Sequence, residues 1–174
     1  GIVLTLILIF IVFGAVLEAS GAGEALIRIA FAVTGGTRGG PAHAAIASSA
    51  MFGTMSGSVA ANVVGTGVLT IPMIKRRGFA PGFAGGVESA ASSGGQIMPP
   101  VMGAAAFLMA ELVGVPYLTV CLAALLPALF FYGGLVASVS LEAARLRIEP
   151  IPREDRTSLT RRDLVHALMF IGPV

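Results

Sequence analysis

The chain has 174 residues, 56% of them hydrophobic and 11% charged, with a net charge of +2 and a mean hydropathy of +0.92. Soluble domains carry roughly a quarter charged residues, so the composition excludes a soluble domain, and so small a net charge offers nothing to a nucleic-acid partner. The 23 glycines, interleaved with Val, Ile, Leu and Phe and accompanied by no Trp, fit an all-α bundle of helices packed through small residues in a lipid bilayer.

Ile2–Leu17 (IVLTLILIFIVFGAVL) is long enough for most of a crossing. It reads as a transmembrane helix rather than a signal peptide, because it lacks a basic leader and no soluble domain follows. Glu18–Gly23 is a polar turn. Glu24–Gly36 carries Glu24 and Arg28 and is either a short span or a helix tucked against the bundle. Residues 1–36 thus form an N-terminal group of transmembrane and short helices.

Gly35–Pro41 (GGTRGGP) is a loop with one cation, Arg38. Ala42–Ile74 then runs about 33 residues without Asp, Glu, Lys or Arg, roughly 50 Å as one helix. A bilayer core is about 30 Å thick. One straight helix is too long and two full crossings are too many. Two half-length helices meeting at Gly53–Ser58 fit, as a re-entrant hairpin with both ends on one side. Arg38 before it and Lys75, Arg76 and Arg77 after it place that side in the cytoplasm.

Gly78–Gly82 is a turn, and Phe83–Leu112 is a second long stretch, broken at Ser92–Pro100 (SSGGQIMPP). It has no basic residue near its end at Glu111, so it crosses. Tyr117–Leu141 is uncharged, returns to the cytoplasm and is a candidate for a kink at Pro127. Residues 37–141 thus form one unit of hairpin, broken helix and span. Residues 142–163 hold six arginines, including Arg145 and Arg153, among five acids, and read as a solvated cytoplasmic connector. Residues 164–174 open a further span. Because the chain starts and stops inside apolar runs, a segment of a longer protein is expected.

The two breaks are the candidate sites. In hydrocarbon, irregular backbone is tolerated only where it is buried in protein or lines a polar cavity. At the tip, Gly53, Thr54, Ser56, Gly57 and Ser58 permit a tight turn and supply carbonyl and hydroxyl oxygens suited to a hard cation such as Na⁺. The competing reading is helix packing through small residues spaced four apart, although packing does not call for Ser-Gly-Ser with Asn62 one turn on. At the second break, Ser92, Ser93, Gly94, Gly95 and Gln96 precede Pro99 and Pro100. The prolines are expected to free the carbonyls of Gly95 and Gln96. A helix starting near Met98 would point its positive end at the gap, suiting an anionic substrate beside a bound cation. The competing reading is a proline kink with no ligand.

Glu88 lies one turn before that break. It either pairs with a cation or stays protonated and bonds a neighbour. His43 reads as a cap or packing residue, and Met51, Met55, Met98, Met102 and Met109 read as packing. Cys121 is expected mid-membrane as a small apolar residue. No Walker loop, Cys/His cluster or catalytic triad is visible, so neither an ATPase nor a metalloenzyme is expected.

The run GGPAHAAIASSAMFGTMSGSVAANVV, continuing to VESAASSGGQIMPPVMGAAAF, resembles the large membrane subunit of TRAP transporters (tripartite ATP-independent periplasmic transporters). It is most similar to the fused-permease branch that works with TAXI-type binding proteins. The resemblance implies a multi-pass permease of the bacterial inner membrane, driven by Na⁺ and fed an organic acid anion by a periplasmic binding protein. It implies a small membrane subunit, no organic cofactor, and two inverted repeats moving as an elevator, with this chain holding the first repeat. It assigns a Na⁺-site region to Gly53, Ser56, Gly57, Ser58, Ser93, Gly94, Gly95 and Gln96. Asn62, Ser92, Glu88, Pro99 and Pro100 remain candidates for the substrate cavity. Two other readings stay open: an ABC-type or channel-like permease subunit served by a partner ATPase, and a structural scaffold repeat.

Overall fold

The computed structural model describes residues 22–150 except Val101, together with Leu8, Val12 and Val16, which are helical and exposed. The rest of the expected first span, most of the polar turn, the connector beyond Pro150 and the span opening at His166 lie outside the described residues.

Among the described residues all regular structure is helical. Helix α1, Ala22–Thr34, has 13 residues, about 20 Å and short of a bilayer core of about 30 Å. It packs against both arms of the hairpin that follows.

Helix α2, Gly40–Ser56, begins with Pro41 in its first turn, where the missing N–H costs nothing. It stops because Gly57 turns left-handed (φ 57°) and donates its N–H to the Gly53 carbonyl. Ser58 is extended, and its hydroxyl caps the next helix by accepting from the Ala61 N–H at 3.3 Å. Helix α3, Val59–Arg76, then folds back along α2. The expected hairpin is present. Its arms hold 17 and 18 residues, about 26 Å each, half of what the uncharged run would span as one helix and close to the depth of a bilayer core. The charge-free run undercounts them because α2 also takes in Gly40 and Pro41 and α3 extends through Lys75 and Arg76.

Helix α4, Pro81–Gly94, leads into one 3₁₀ turn, Gly95–Ile97. Met98 is extended, Pro99–Pro100 is cis, Met102 is left-handed (φ 61°) and Gly103 is extended. Helix α5, Ala104–Val113, starts only there. Two expectations are corrected. The second half-helix begins at Ala104, not near Met98. The carbonyls expected to be free are paired: Gly95 accepts from Met98 N and Gln96 from Gly103 N at 2.9 Å. Two prolines in a row are followed by backbone that doubles back, and this returns an N–H to the carbonyl a straight kink would strand.

Helix α6, Tyr117–Arg145, has 29 residues, runs unbroken through Pro127 and is apolar enough to cross a membrane. Cys121 lies near its start, with its thiol 3.5 Å from the Pro100 carbonyl.

The core joins α2, α3, α4 and α6 through residues such as Ala42, Ala45, Ala84 and Ala91, all fully buried. Their lack of bulk lets the backbones approach closely. Three contacts gather the basic segments at one end. The Arg77 guanidinium donates to the Glu149 carbonyl at 2.5 Å. His43 reaches the Val136 carbonyl and Ser140 hydroxyl of α6. Gly39 lies directly against Val139. Arg38, Lys75–Arg77 and Arg145 therefore share an end.

Candidate functional site

The hairpin tip and the helix break, some forty residues apart in sequence, meet backbone to backbone. A Cβ on Gly95 would lie 2.6 Å from Gly53 Cα, and one on Gly53 would run into Gly95 Cα. A turn further along, a Cβ on Gly57 would run into the Met102 carbonyl and lie 3.2 Å from Gly103 Cα. The αL conformation at Gly57 and at Met102 brings the two turns into register; for Met102, which carries a side chain, that conformation is strained. Four helix ends converge: the carbonyl ends of α2 and α4 and the N–H ends of α3 and α5. The first two carry partial negative charge and the last two partial positive charge.

The expected site residues divide around this junction. Gly53 and Gly95 are buried in it, and Gly57 closes it. The Ser56 side-chain oxygen is buried with no hydrogen-bond partner. Gln96 is exposed beside Gly103. Ser58 is exposed and serves as the α3 cap. Ser93 and Gly94 are not brought in. The Ser93 hydroxyl donates back to Ser89 O at 2.8 Å, and Gly94 faces the rings of Phe131 and Tyr132 on α6. The Pro100 carbonyl accepts from the Tyr117 hydroxyl at 3.0 Å. Asn62 is fully buried and brackets the hairpin, donating to the Ser49 carbonyl at 2.8 Å. Its amide nitrogen sits 3.3 Å from where a Cβ on Gly53 or Gly95 would stand.

Glu88 is 0% exposed and, among the described residues, meets no cationic side chain. Its Oε1 accepts from Ser49 at 2.9 Å, Thr66 at 2.5 Å and Ser92 at 3.3 Å, and its Oε2 from Thr70 at 2.5 Å. Ser49, Thr66 and Thr70 were not singled out from sequence. The signal was there: Asn62, Thr66 and Thr70 recur every four residues, a polar stripe on one face of an otherwise apolar helix. His43 ties Thr37 (2.6 Å) to Ser140 (3.1 Å) and is a packing residue.

The junction suits a hard cation chemically. It offers an orphaned buried hydroxyl at Ser56 and the last carbonyls of α2, neutral oxygens of the kind such ions take. Beside it, between α5 and α6, lies a cavity of about 650 Å³ lined by Gln96, Gly103 and Thr119 among apolar side chains.

An antiparallel helical hairpin seated on an interrupted helix, beside one long apolar span, defines a membrane-transport fold. The family model described as Tripartite ATP-independent periplasmic transporter, DctM component, matches residues 2–172, and the chain belongs to this family. It is 30% identical over 150 residues to the C4-dicarboxylate TRAP transporter large permease protein DctM of Pseudomonas aeruginosa, covering 86% of this chain and 34% of the relative. It is 35% identical over 91 residues to the protein of the same name from Vibrio cholerae, covering 52% and 20%. It matches the isethionate TRAP transporter permease protein DctMQ of Oleidesulfovibrio alaskensis at 35% over 91 residues, covering 52% and 14%. The chain thus spans about a third or less of the length of these relatives.

Proposed function

We propose that the chain is the first-repeat half of the transport core of a Na⁺-coupled permease that imports an organic acid anion across the bacterial inner membrane. Its partners are a periplasmic binding protein of the TAXI type and a small membrane subunit. The observation that carries this reading is the junction itself: two helix breaks locked together by glycines, with Ser56, next to Gly57 in the chain, keeping a buried and unpartnered hydroxyl. Na⁺ takes oxygen ligands, and Ser56 with the terminal carbonyls of α2 supplies them. The N-termini of α3 and α5 present partial positive charge to a carboxylate or sulfonate. The relatives are named for C4-dicarboxylates and isethionate, both organic anions. The family is described as ATP-independent, which weighs against a partner ATPase.

The test is uptake by the full-length permease in proteoliposomes, with its binding protein and an anion that protein is shown to bind. Ser56→Ala is expected to raise the Na⁺ concentration for half-maximal uptake about tenfold, the equivalent of about 1.4 kcal/mol. Unchanged Na⁺ dependence would leave the junction as packing and favour the scaffold reading.

A further inference from the structure

The Glu88 cluster lies beside the junction, joined to it through Asn62, and the function proposed above makes no use of it. Thr70 has one hydroxyl proton and two acceptors in reach, Glu88 Oε2 at 2.5 Å and the Thr66 carbonyl at 3.0 Å. Thr66 likewise faces Glu88 Oε1 at 2.5 Å and the Asn62 carbonyl at 2.8 Å. With Glu88 ionised, the hydroxyls of Ser49, Thr66, Thr70 and Ser92 all turn onto the carboxylate and compensate its burial. With Glu88 protonated, its Oε2–H donates to Thr70, whose own proton swings to the Thr66 carbonyl, while Oε1 keeps its other donors. Both states are satisfied on the same heavy-atom positions. Only hydroxyl rotors move.

A metal ion fits less well. Hard cations of this size sit about 2.3–2.6 Å from each oxygen, and the 2.5 Å gaps from Glu88 to Thr66 and Thr70 leave no room for one between them. Among the described residues no other ionisable group faces Glu88. Its neighbours are Ser49 on α2, Thr66 and Thr70 on α3, and Ser92 on its own helix. Tyr132 of α6 gives its hydroxyl to the Ala91 carbonyl. His43 on α2 is bonded to Thr37, Val136 and Ser140, and Lys75 and Arg76 lie exposed at the far end of α3.

We propose that Glu88 is a proton-binding site, taking one proton from the aqueous phase and releasing one in the course of the protein's working cycle. One O–H bond forms at Oε2, one hydronium becomes water, and the buried charge falls from one negative to zero. The change reaches the junction through two bonds, because Thr66 and Ser49 both touch Asn62, which lies against the Gly53–Gly95 contact.

Infrared titration of the full-length protein in nanodiscs tests this without Na⁺ or transported anion, so its failure is distinct from failure of the transport reading. A carboxylic-acid carbonyl band that appears as pH falls, and is missing in Glu88→Gln, is the expected result. Absence of any titrating difference between the two proteins overturns the proposal. Should Glu88→Gln not fold, Ser49→Ala carries the test. It removes the Ser49 donor to Oε1, so the carboxylic-acid carbonyl band should move to higher frequency; an unmoved band overturns the assignment.

Discussion

Gly57 shows what a single missing methyl group holds open. Its φ of 57° disfavours any L side chain, and a Cβ there would strike the Met102 carbonyl. The left-handed conformation costs about 1–2 kcal/mol and overpacking about 1–3 kcal/mol more. Gly57→Ala in the full-length protein should therefore lose about 2–5 kcal/mol in a denaturant melt. Gly86 is the internal control. It is helical and has no neighbour within 4 Å of an added Cβ. Gly86→Ala should gain about 0.5–1 kcal/mol from helix propensity alone. Equal effects from the two substitutions would mean the tip is not in contact with the break. Sequence reasoning found Gly53 and Gly57 as turn formers and Gly95 as a carbonyl at the second break, but not as partners, since nothing local says which distant backbone a glycine will meet. It weighed Glu88 evenly because its solvating hydroxyls sit on helices where back-bonding to the fourth preceding carbonyl explains each one equally well.

At the scale of helices, length and charge carried most of the information. An uncharged run too long for one crossing, with arginines at both ends, is legible as a hairpin, and the structure has one. The double proline is legible as a break. What sequence did not reveal is how the chain spends the residues from Met98 to Gly103: a straight helix with a kink and a reversal with a returned hydrogen bond share the same composition. His43, whose partners lie 93 and 97 residues away, fastens α2 to α6. Removing it cuts the side-chain link to α6, while Thr37 and Ser140 keep their bonds to the Thr34 and Val136 carbonyls; the loss is then the net worth of the missing hydrogen bonds, about 0.5–1.5 kcal/mol each. His43→Ala should lower the melting midpoint accordingly, and a wild-type midpoint would show that the alanine packing alone joins these helices.

For the whole molecule, the decisive feature is that basic residues from three separate segments share an end. In oriented vesicles of the full-length permease, Lys75→Cys and Arg145→Cys should react with an impermeant maleimide from one face, and Glu111→Cys from the other. Labelling of position 111 together with position 75 would mean that the broken helix does not cross. Cys121 is buried and should contribute little background.

Helix α6 has a consequence for the bilayer. Its uncharged run, Tyr117–Leu141, is about 38 Å long at about 1.5 Å per residue, against a hydrocarbon core of about 30 Å. Such a mismatch is met by tilting the helix or thickening the lipid around it. The helix is fastened near both ends, by Tyr117 to Pro100 and by Ser140 to His43. It cannot lean without turning the hairpin and the break with it, so membrane thickness bears directly on how the junction is presented to the aqueous phases.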